Sequence, residues 1–167
     1  TWPLSSLPSK PNIEAERALL GAVLLDENIL SNVLEHCAES DFFREGHQFI
    51  FRAVCAAYSR SEPIDPLTVS EELKKDGLLD RAGGLSYISG LVDEVPSISS
   101  VEHYAKIIST KSTIRRLIYA ADEIRANGYE EDLDPVEYVD QAEKLIFDIL
   151  DARQDNSTIH IRDALKM

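Results

Sequence analysis

Residues 101–150 read VEHYAKIISTKSTIRRLIYAADEIRANGYEEDLDPVEYVDQAEKLIFDIL. Apolar residues recur at helical spacing on both sides of a short polar break, which predicts two long helices. A capping box of Ser99 and Glu102 begins the first helix, and Asn127-Gly128 ends it. Asp134-Pro135 begins the second helix, because aspartate caps a helix and proline suits its first turn. Two long helices joined by a short turn form an antiparallel hairpin.

The two arms of the predicted hairpin carry opposite charge. Residues 101–127 have five basic and three acidic side chains, a net charge of +2, whereas residues 129–155 have two basic and ten acidic ones, a net charge of −8. These charges either pair within one hairpin or pair between the hairpins of two subunits, and the sequence leaves both open. The apolar side of the first arm is wide enough for more than one contact seam, which favours a partner.

The chain before the hairpin predicts a series of shorter helices. Asn12, Asp41 and Asp65 are suitable N-caps, because their side chains can accept from the free N–H groups of a first turn. Proline, glycine and acidic turn residues separate the apolar runs. The predicted helices cover about 13–25, 29–38, 41–58, 66–77 and 85–95. No stretch alternates as a strand would, so we predict an all-α fold, a small orthogonal helical bundle followed by a long antiparallel helical hairpin.

The sequence divides into an extended lead-in (1–11), a globular helical subdomain (12–98) and the hairpin (99–153). The lead-in is rich in proline and serine and lacks the basic and apolar regions of a secretory signal. No apolar run approaches the ~20 residues that span a bilayer, so we expect a cytoplasmic protein without membrane contact. Met167 is the only methionine, which indicates a fragment of a longer protein.

Composition excludes two classes of protein. Hydrophobic residues make up 44% of the 167 residues and charged residues 28%, which is too apolar for a disordered chain. Aspartate and glutamate number 30 against 17 lysines and arginines, a net charge of −13. That charge, spread evenly, repels a phosphate backbone, so the chain is not expected to bind nucleic acid on its own.

The sequence contains no familiar pattern for catalysis or metal binding. None of the seven glycines begins a phosphate-binding loop, and the four histidines have no metal-ligand spacing. Cys37 and Cys55 occur in apolar contexts and are expected to be buried thiols. A small cytosolic hydrolase that uses Cys37, His47 and Asp41 is an alternative, but nothing in the sequence indicates an oxyanion hole.

Six segments resemble, in order, those of a known family. They are PNIEAERALLGAVLLDENIL (11–30), FFREGHQFIFRAV (42–54), EPIDPLTVSEEL (62–73), GGLSYISGLVDEVPS (83–97), VEHYAKIISTKSTIRRLI (101–118) and IHIRDALK (159–166). Together they cover nearly the whole chain and resemble the N-terminal domain of bacterial replicative DNA helicases, the DnaB family. Residues 154–167 resemble the start of the family's linker helix, which leads to a RecA-like ATPase domain absent from this sequence.

The resemblance implies a ring-shaped hexameric helicase that moves on single-stranded DNA at the replication fork. In this family the N-terminal domains pair through their hairpins into a collar, and the collar docks the carboxyl-terminal domain of primase. A helicase loader is a further candidate partner. ATP, Mg²⁺ and most DNA contacts belong to the motor domain, so this chain alone is expected to have no catalytic residue, cofactor or metal. The alternative is a free-standing all-α dimeric adaptor without a motor domain.

By the same resemblance, six residues are candidates for contacts with a partner or another subunit. They are Ile118, Ile124, Tyr87, Glu14, Arg115 and Arg116. Ile118 and Ile124 lie six positions apart on the first hairpin arm and therefore on overlapping sides of the helix. Ile118 either meets a partner or packs against the second arm at Leu145, Ile146 and Ile149. For Ile124 we favour the interface.

The other four candidates also have two readings each. Tyr87 either presents its ring edge and hydroxyl to primase or is a core tyrosine with a bonded hydroxyl. Glu14 either stabilises the helix N-terminus or contacts a partner. Arg115 and Arg116 either bridge subunits or lie on a solvated face.

Overall fold

The computed structural model describes the backbone of residues 10–165 and the side chains of residues 10–151. Within that range seven α-helices follow one another: α1 (Ile13–Leu25), α2 (Leu30–Leu34), α3 (Glu45–Ser59), α4 (Pro66–Lys75), α5 (Gly84–Asp93), α6 (Val101–Asn127) and α7 (Pro135–Leu165). Single 3-10 turns occupy Glu27–Ile29, Glu39–Asp41 and Ile98–Ser100. The described residues include no strand, and the predicted all-α fold is confirmed.

Helix α1 is the centre of the bundle. It packs against α3, α5 and α6, and Leu19, Leu20 and Val23 have no exposed surface. The approach of α5 is so close at Gly21 that an added Cβ would overlap the Leu91 carbonyl oxygen. Only glycine fits at this crossing, because every other residue carries that Cβ atom.

Several predicted helix starts are confirmed. The Asn12 side chain accepts from the Ala15 backbone N–H at 2.9 Å, so α1 begins where its cap predicts. Asp65 accepts from the Thr68 backbone N–H at 2.8 Å and is followed by proline in the first turn of α4. Gly83, with a φ of 107°, precedes α5 in the left-handed region that favours glycine.

Two predictions about the second and third helices are wrong. The second helix ends at Leu34, and α3 begins at Glu45 and has no side-chain cap. Asp41 does not cap α3. Its carboxylate instead accepts from the Ala38 backbone N–H at 2.8 Å, which closes the 3-10 turn that precedes α3. Asp41 lies inside this turn, and the N-cap position of α3 falls three residues later at Arg44.

The capping box predicted before α6 does not form. The hydroxyl groups of Ser97 and Ser99 form a hydrogen bond, with their oxygens 2.7 Å apart. Ser99 is part of the 3-10 turn Ile98–Ser100, and Ser97 directly precedes it. Glu102 pairs with Lys106 one helical turn further on, at 2.9 Å. The long helix α6 therefore begins after the 3-10 turn and ends at Asn127, as predicted.

The hairpin consists of α6 and α7, which pack against each other. The first half of α6 is buried against the bundle through residues such as Ala105 and Ile108. Helix α7 begins at Pro135 as predicted and continues to Leu165, beyond the predicted hairpin end at residue 153. The lead-in up to residue 9 and the side chains after residue 151, including those of the predicted linker segment 154–167, lie outside the described residues, and the domain boundaries remain predictions. None of the helices described is both long and apolar enough to span a bilayer.

Candidate functional site

An uncovered apolar surface extends along the second arm of the hairpin. It consists of Val136 (68% exposed), Val139 (53%), Ile146 (43%), Phe147 (62%) and Leu150 (55%), together called the α7 stripe. At 3.6 residues per turn these five positions fall within an arc of about 100°. An apolar stripe of this width is typical of a helix face that packs against another protein surface.

A second apolar side of α7, adjacent to the stripe, already has a partner. Tyr138, Ala142, Leu145 and Ile149 are half-buried, and Leu145 and Ile149 line a groove of about 450 Å³ shared with Ala120 of α6. The Tyr138 hydroxyl donates to the backbone carbonyl of Ile124, which ties the start of α7 to the end of α6. Helix α7 therefore has two apolar sides, of which one faces α6 and the other faces solvent.

The first arm adds to the exposed apolar surface. Ile114 is 40% exposed and Leu117 51% exposed, three positions apart on α6. Ile118 and Ile124, the two predicted interface residues of this arm, are both half-buried. Half-burial fits both readings of Ile118, so the choice between partner and hairpin packing remains open. The interface assignment of Ile124 likewise remains a prediction.

Tyr87 belongs to a polar chain inside the bundle. Its hydroxyl lies 2.6 Å from Nε2 of His47, and the two rings are nearly parallel. Nδ1 of His47 lies 2.7 Å from a carboxylate oxygen of Glu16. The guanidinium of Arg17 stands over the exposed side of this arrangement, 5.8 Å from the Tyr87 ring centroid. Tyr87 is half-buried with a bonded hydroxyl, which is the second of its two readings; contact with a partner remains a prediction.

Glu16 is a buried carboxylate whose internal contacts the sequence did not predict. Its carboxylate is 2% exposed and accepts from the backbone N–H groups of Phe43 at 2.8 Å and Arg44 at 3.4 Å, in addition to its contact with His47. Glu14 is exposed in the first turn of α1. The spacing of Glu16 from the buried Leu19, Leu20 and Val23 was a usable signal, since those positions share one helix face.

Arg115 and Arg116 both contact the 3-10 turn Glu39–Asp41 of the same chain. Arg115 is 6% exposed and donates through Nη2 to the backbone carbonyl of Asp41 at 3.1 Å. Arg116 donates to the Ser40 hydroxyl at 2.7 Å and lies 3.1 Å from Asp41 Oδ1. A solvated face is wrong for Arg115, because contact with the turn and with the Phe43 ring encloses it. A role between subunits remains a prediction for both.

The three residues of the alternative hydrolase, Cys37, His47 and Asp41, are not arranged for catalysis: His47 and Asp41 are held by other contacts, and Cys37 is buried. Both ring nitrogens of His47 are bonded, and Asp41 holds the Ala38 backbone N–H and Arg116. Burial raises the pKa of the Cys37 thiol far above its usual range, and burial together with Glu39 raises the pKa of Cys55 to about 11. Cys37 is buried as predicted, whereas Cys55 is half-buried. A thiol with a raised pKa is a poor nucleophile at neutral pH.

Metal ligands are not clustered in the part of the chain that the structure describes. There, no group of three or more histidine, cysteine, aspartate or glutamate side chains is arranged to hold a metal ion. The described features with potential for function are the α7 stripe, the polar chain ending at Tyr87 and the arginine pair in the middle of α6.

Comparisons with known proteins agree on one family. Residues 9–110 match the family model of the DnaB-like helicase N terminal domain. The chain is 40% identical over 156 residues to the replicative DNA helicase DnaB of Geobacillus stearothermophilus, and 37% identical over 154 residues to the replicative DNA helicase DnaC of Bacillus subtilis. Both alignments cover 92% of this chain but 34% of the relative, so the chain spans about a third of the length of these curated relatives.

Solved structures give the same result. The crystal structure of the N-terminal domain of DnaB helicase from Mycobacterium tuberculosis is 37% identical, with a TM-score of 0.80, and the match covers 85% of this chain and 99% of that one. A structure of a DnaB-like replicative helicase and its interactions with primase matches at 18% identity and a TM-score of 0.68, over 93% of this chain and 35% of that one, which shows a shared fold. On the family match and the aligned helicases, this chain belongs to the DnaB-like helicase N-terminal domain family.

Proposed function

We propose that this chain is the collar domain of a hexameric replicative DNA helicase of the cytoplasm, which joins subunits and docks primase at the replication fork. The unwinding activity, ATP, Mg²⁺ and most DNA contacts are assigned to a motor domain outside this chain. A helicase loader is a second candidate partner. The α7 stripe is the observation that carries this proposal, because it is an apolar helix face that the described part of the chain leaves uncovered.

The position of the stripe supports self-association. It lies on the arm that packs against α6, away from the bundle core, so a second hairpin can reach it without any change in the bundle. Ile114 and Leu117 provide exposed apolar surface on the other arm. The opposite net charges of the two arms, +2 and −8, favour an arrangement in which the α6 of one hairpin approaches the α7 of another.

Self-association is tested by placing a charge in the stripe. Phe147→Asp should weaken association of the chain at least tenfold, because a buried unpaired carboxylate opposes the contact. Leu67→Asp is the matched control, since Leu67 is 63% exposed on α4 and lies outside the hairpin. Sedimentation equilibrium over a range of concentrations measures both variants. Equal association of the two variants would show that the stripe is not the contact surface.

Primase docking is tested on the first arm and on α5. Ile118→Asp and Ile124→Asp should weaken self-association or binding of the primase carboxyl-terminal domain, with helix content unchanged by circular dichroism. A loss of helix content in either variant would place that side chain in the internal packing of the hairpin and contradict its interface role. Tyr87→Phe, which keeps the ring, separates a contact made by the hydroxyl from one made by the ring.

A free-standing dimeric adaptor is the second candidate, because the exposed stripe would serve it equally well. Both functions predict self-association, so the oligomeric state cannot separate them. The reading frame of the gene after codon 167 does: a following domain with a phosphate-binding loop supports the helicase, and a stop codon supports the adaptor.

A further inference from the structure

A small pocket lies where the first hairpin arm crosses the 3-10 turn Glu39–Asp41 and the start of α3. Its volume is about 200 Å³. Arg115, Arg116, Ser112 and Tyr119 line it from α6, and Ser40 lines it from the turn. The pocket opens to solvent beside Tyr119, which is 56% exposed.

Arg115 has no carboxylate partner, although it is 6% exposed. One carboxylate oxygen of Asp41 accepts from the Ala38 backbone N–H and the other pairs with Arg116. The carboxylate of Glu16 is bonded to two backbone N–H groups and to His47. Among the described residues nothing accepts a hydrogen bond from Nη1 of Arg115. A buried cation in this position is costly unless an anion compensates it.

The balance of charges around Arg115 leads to the same conclusion. Loss of hydration lowers the pKa of the Arg115 guanidinium, and Arg116 lowers it further, while Glu16, Tyr119 and Asp41 act in the opposite direction without restoring it. The neighbouring acids therefore compensate the buried charge incompletely. An additional anion in the pocket would complete the compensation.

The donors around the pocket suit a tetrahedral anion better than a carboxylate. The pocket is lined by donors from two elements, α6 and the 3-10 turn. These donors are the guanidinium groups of Arg115 and Arg116 and the hydroxyls of Ser40, Ser112 and Tyr119. A phosphate has enough oxygens for donors in several directions, whereas a carboxylate has two, and Asp41 already supplies a carboxylate to Arg116.

The overall charge of −13 opposes a phosphate only at long range, because salt at 0.15 M screens charges beyond about 8 Å. The arm that contributes both arginines has a local net charge of +2. We propose that this pocket binds a phosphate group, held by the charge of Arg115 and Arg116 and by the hydroxyls of Ser40, Ser112 and Tyr119. This site uses neither the α7 stripe nor Tyr87, so a failed phosphate titration would leave self-association through the stripe untouched, although Arg115 and Arg116 are also predicted subunit contacts.

The test is a calorimetric titration of the whole chain with inorganic phosphate, at an ionic strength held constant with sodium chloride. We expect saturable binding with a dissociation constant of about 1 mM or tighter. Arg115→Met should weaken binding at least tenfold, because it keeps the packing volume and removes the charge. Arg125→Met is the matched control, since Arg125 is exposed on the same helix outside the pocket, and it should change the affinity less than twofold.

Two further variants keep the test decisive. Arg116→Met removes a guanidinium that is 30% exposed, and Tyr119→Phe removes one hydroxyl at the pocket mouth; each should weaken binding severalfold with unchanged circular dichroism. If Arg115→Met fails to fold, these two carry the result. Absence of saturable binding in the unaltered chain, or equal weakening by Arg125→Met, overturns the proposal.

The source of the phosphate group is distinguished by a second titration with deoxyadenosine monophosphate. Equal affinity for the two ligands supports a site for phosphate alone, and tighter binding of the nucleotide supports a site that extends into the adjoining groove between α6 and α7. Acetate serves as the carboxylate probe. Acetate binding as tight as phosphate binding would identify a carboxylate site and contradict the proposal.

Discussion

Helices α1 and α7 are both rich in apolar residues, yet the bundle encloses the first and leaves the second open. Nine of the 13 residues of α1 are buried. None of the side chains described on α7 is. Helix α1 packs against α3, α5 and α6, whereas the packing partner of α7 is α6. The comparison teaches that the number of neighbouring elements, and not apolar content alone, decides whether a helix belongs to the core.

The difference separates stability from recognition. Burial of α1 contributes hydrophobic free energy to folding of the single chain, at roughly 25 cal/mol per Å² of apolar surface. The α7 stripe contributes that free energy only when another molecule covers it. Substitutions in the bundle should therefore change the free energy of unfolding, and those in the stripe should change association.

The largest contrast is expected between two phenylalanines. Phe51 is 1% exposed and its ring centroid lies 5.0 Å from that of Phe42, whereas Phe147 is 62% exposed. Phe51→Ala should lower the free energy of unfolding by about 4 kcal/mol, because it leaves a cavity in the core. Phe147→Ala should lower it by less than about 0.5 kcal/mol in dilute protein. Urea denaturation followed by circular dichroism measures both, and a similar loss in the two variants would contradict the division between core and stripe.

The next largest loss of stability is expected at one of two helical glycines. Gly21→Ala should lower the free energy of unfolding by about 3 kcal/mol, because the new Cβ overlaps the Leu91 carbonyl oxygen and lies 2.8 Å from Val95 Cγ2. At Gly90 on α5 an added Cβ would have no atom within 4 Å, so Gly90→Ala should stabilise α5 by up to about 1 kcal/mol. Thermal unfolding compares the two variants. Tolerance of alanine at position 21 would mean that α1 and α5 separate easily.

The smallest contrast concerns two carboxylates near the start of α1. Glu16→Gln should lower the free energy of unfolding by about 2 kcal/mol. The new amide N–H₂ group then faces N–H groups that donate to the carboxylate in the unaltered chain. Glu14→Gln should have little effect, since Glu14 is exposed. Urea midpoints of the two variants give the comparison. An equal response would show that Glu16 is solvated in solution.

Much of the fold could be predicted from the sequence where the signal is local. Asn12 and Asp65 cap their helices as predicted because each acts on N–H groups within three residues. The same rule failed for Asp41 and for the Ser99 and Glu102 pair, since each of those side chains found another partner within a few residues. Local patterns name the residues able to cap a helix, but competing contacts decide which of them do.

The candidate site was less predictable. The width of the hairpin's apolar surface was anticipated for the first arm, but the broader exposed stripe lies on the second. Arg115 gave no sign of burial in the sequence, because arginine is ordinarily exposed and only the packing of α6 on the 3-10 turn encloses it. In the polar chain, Glu16 and His47 are 31 positions apart in sequence, and His47 and Tyr87 are 40 positions apart. Helical periodicity cannot detect contacts at such separations.

The sequence by itself determined the all-α class, the hairpin and its charge asymmetry, because helical periodicity, caps and charge act between residues close along the chain. Only the tertiary structure decided that Glu16 accepts from the Phe43 and Arg44 N–H groups and contacts His47, that Arg115 is enclosed, and that one side of α7 remains uncovered. Burial depends on which distant elements meet, and those contacts form between segments whose separation in sequence carries no information about their separation in space.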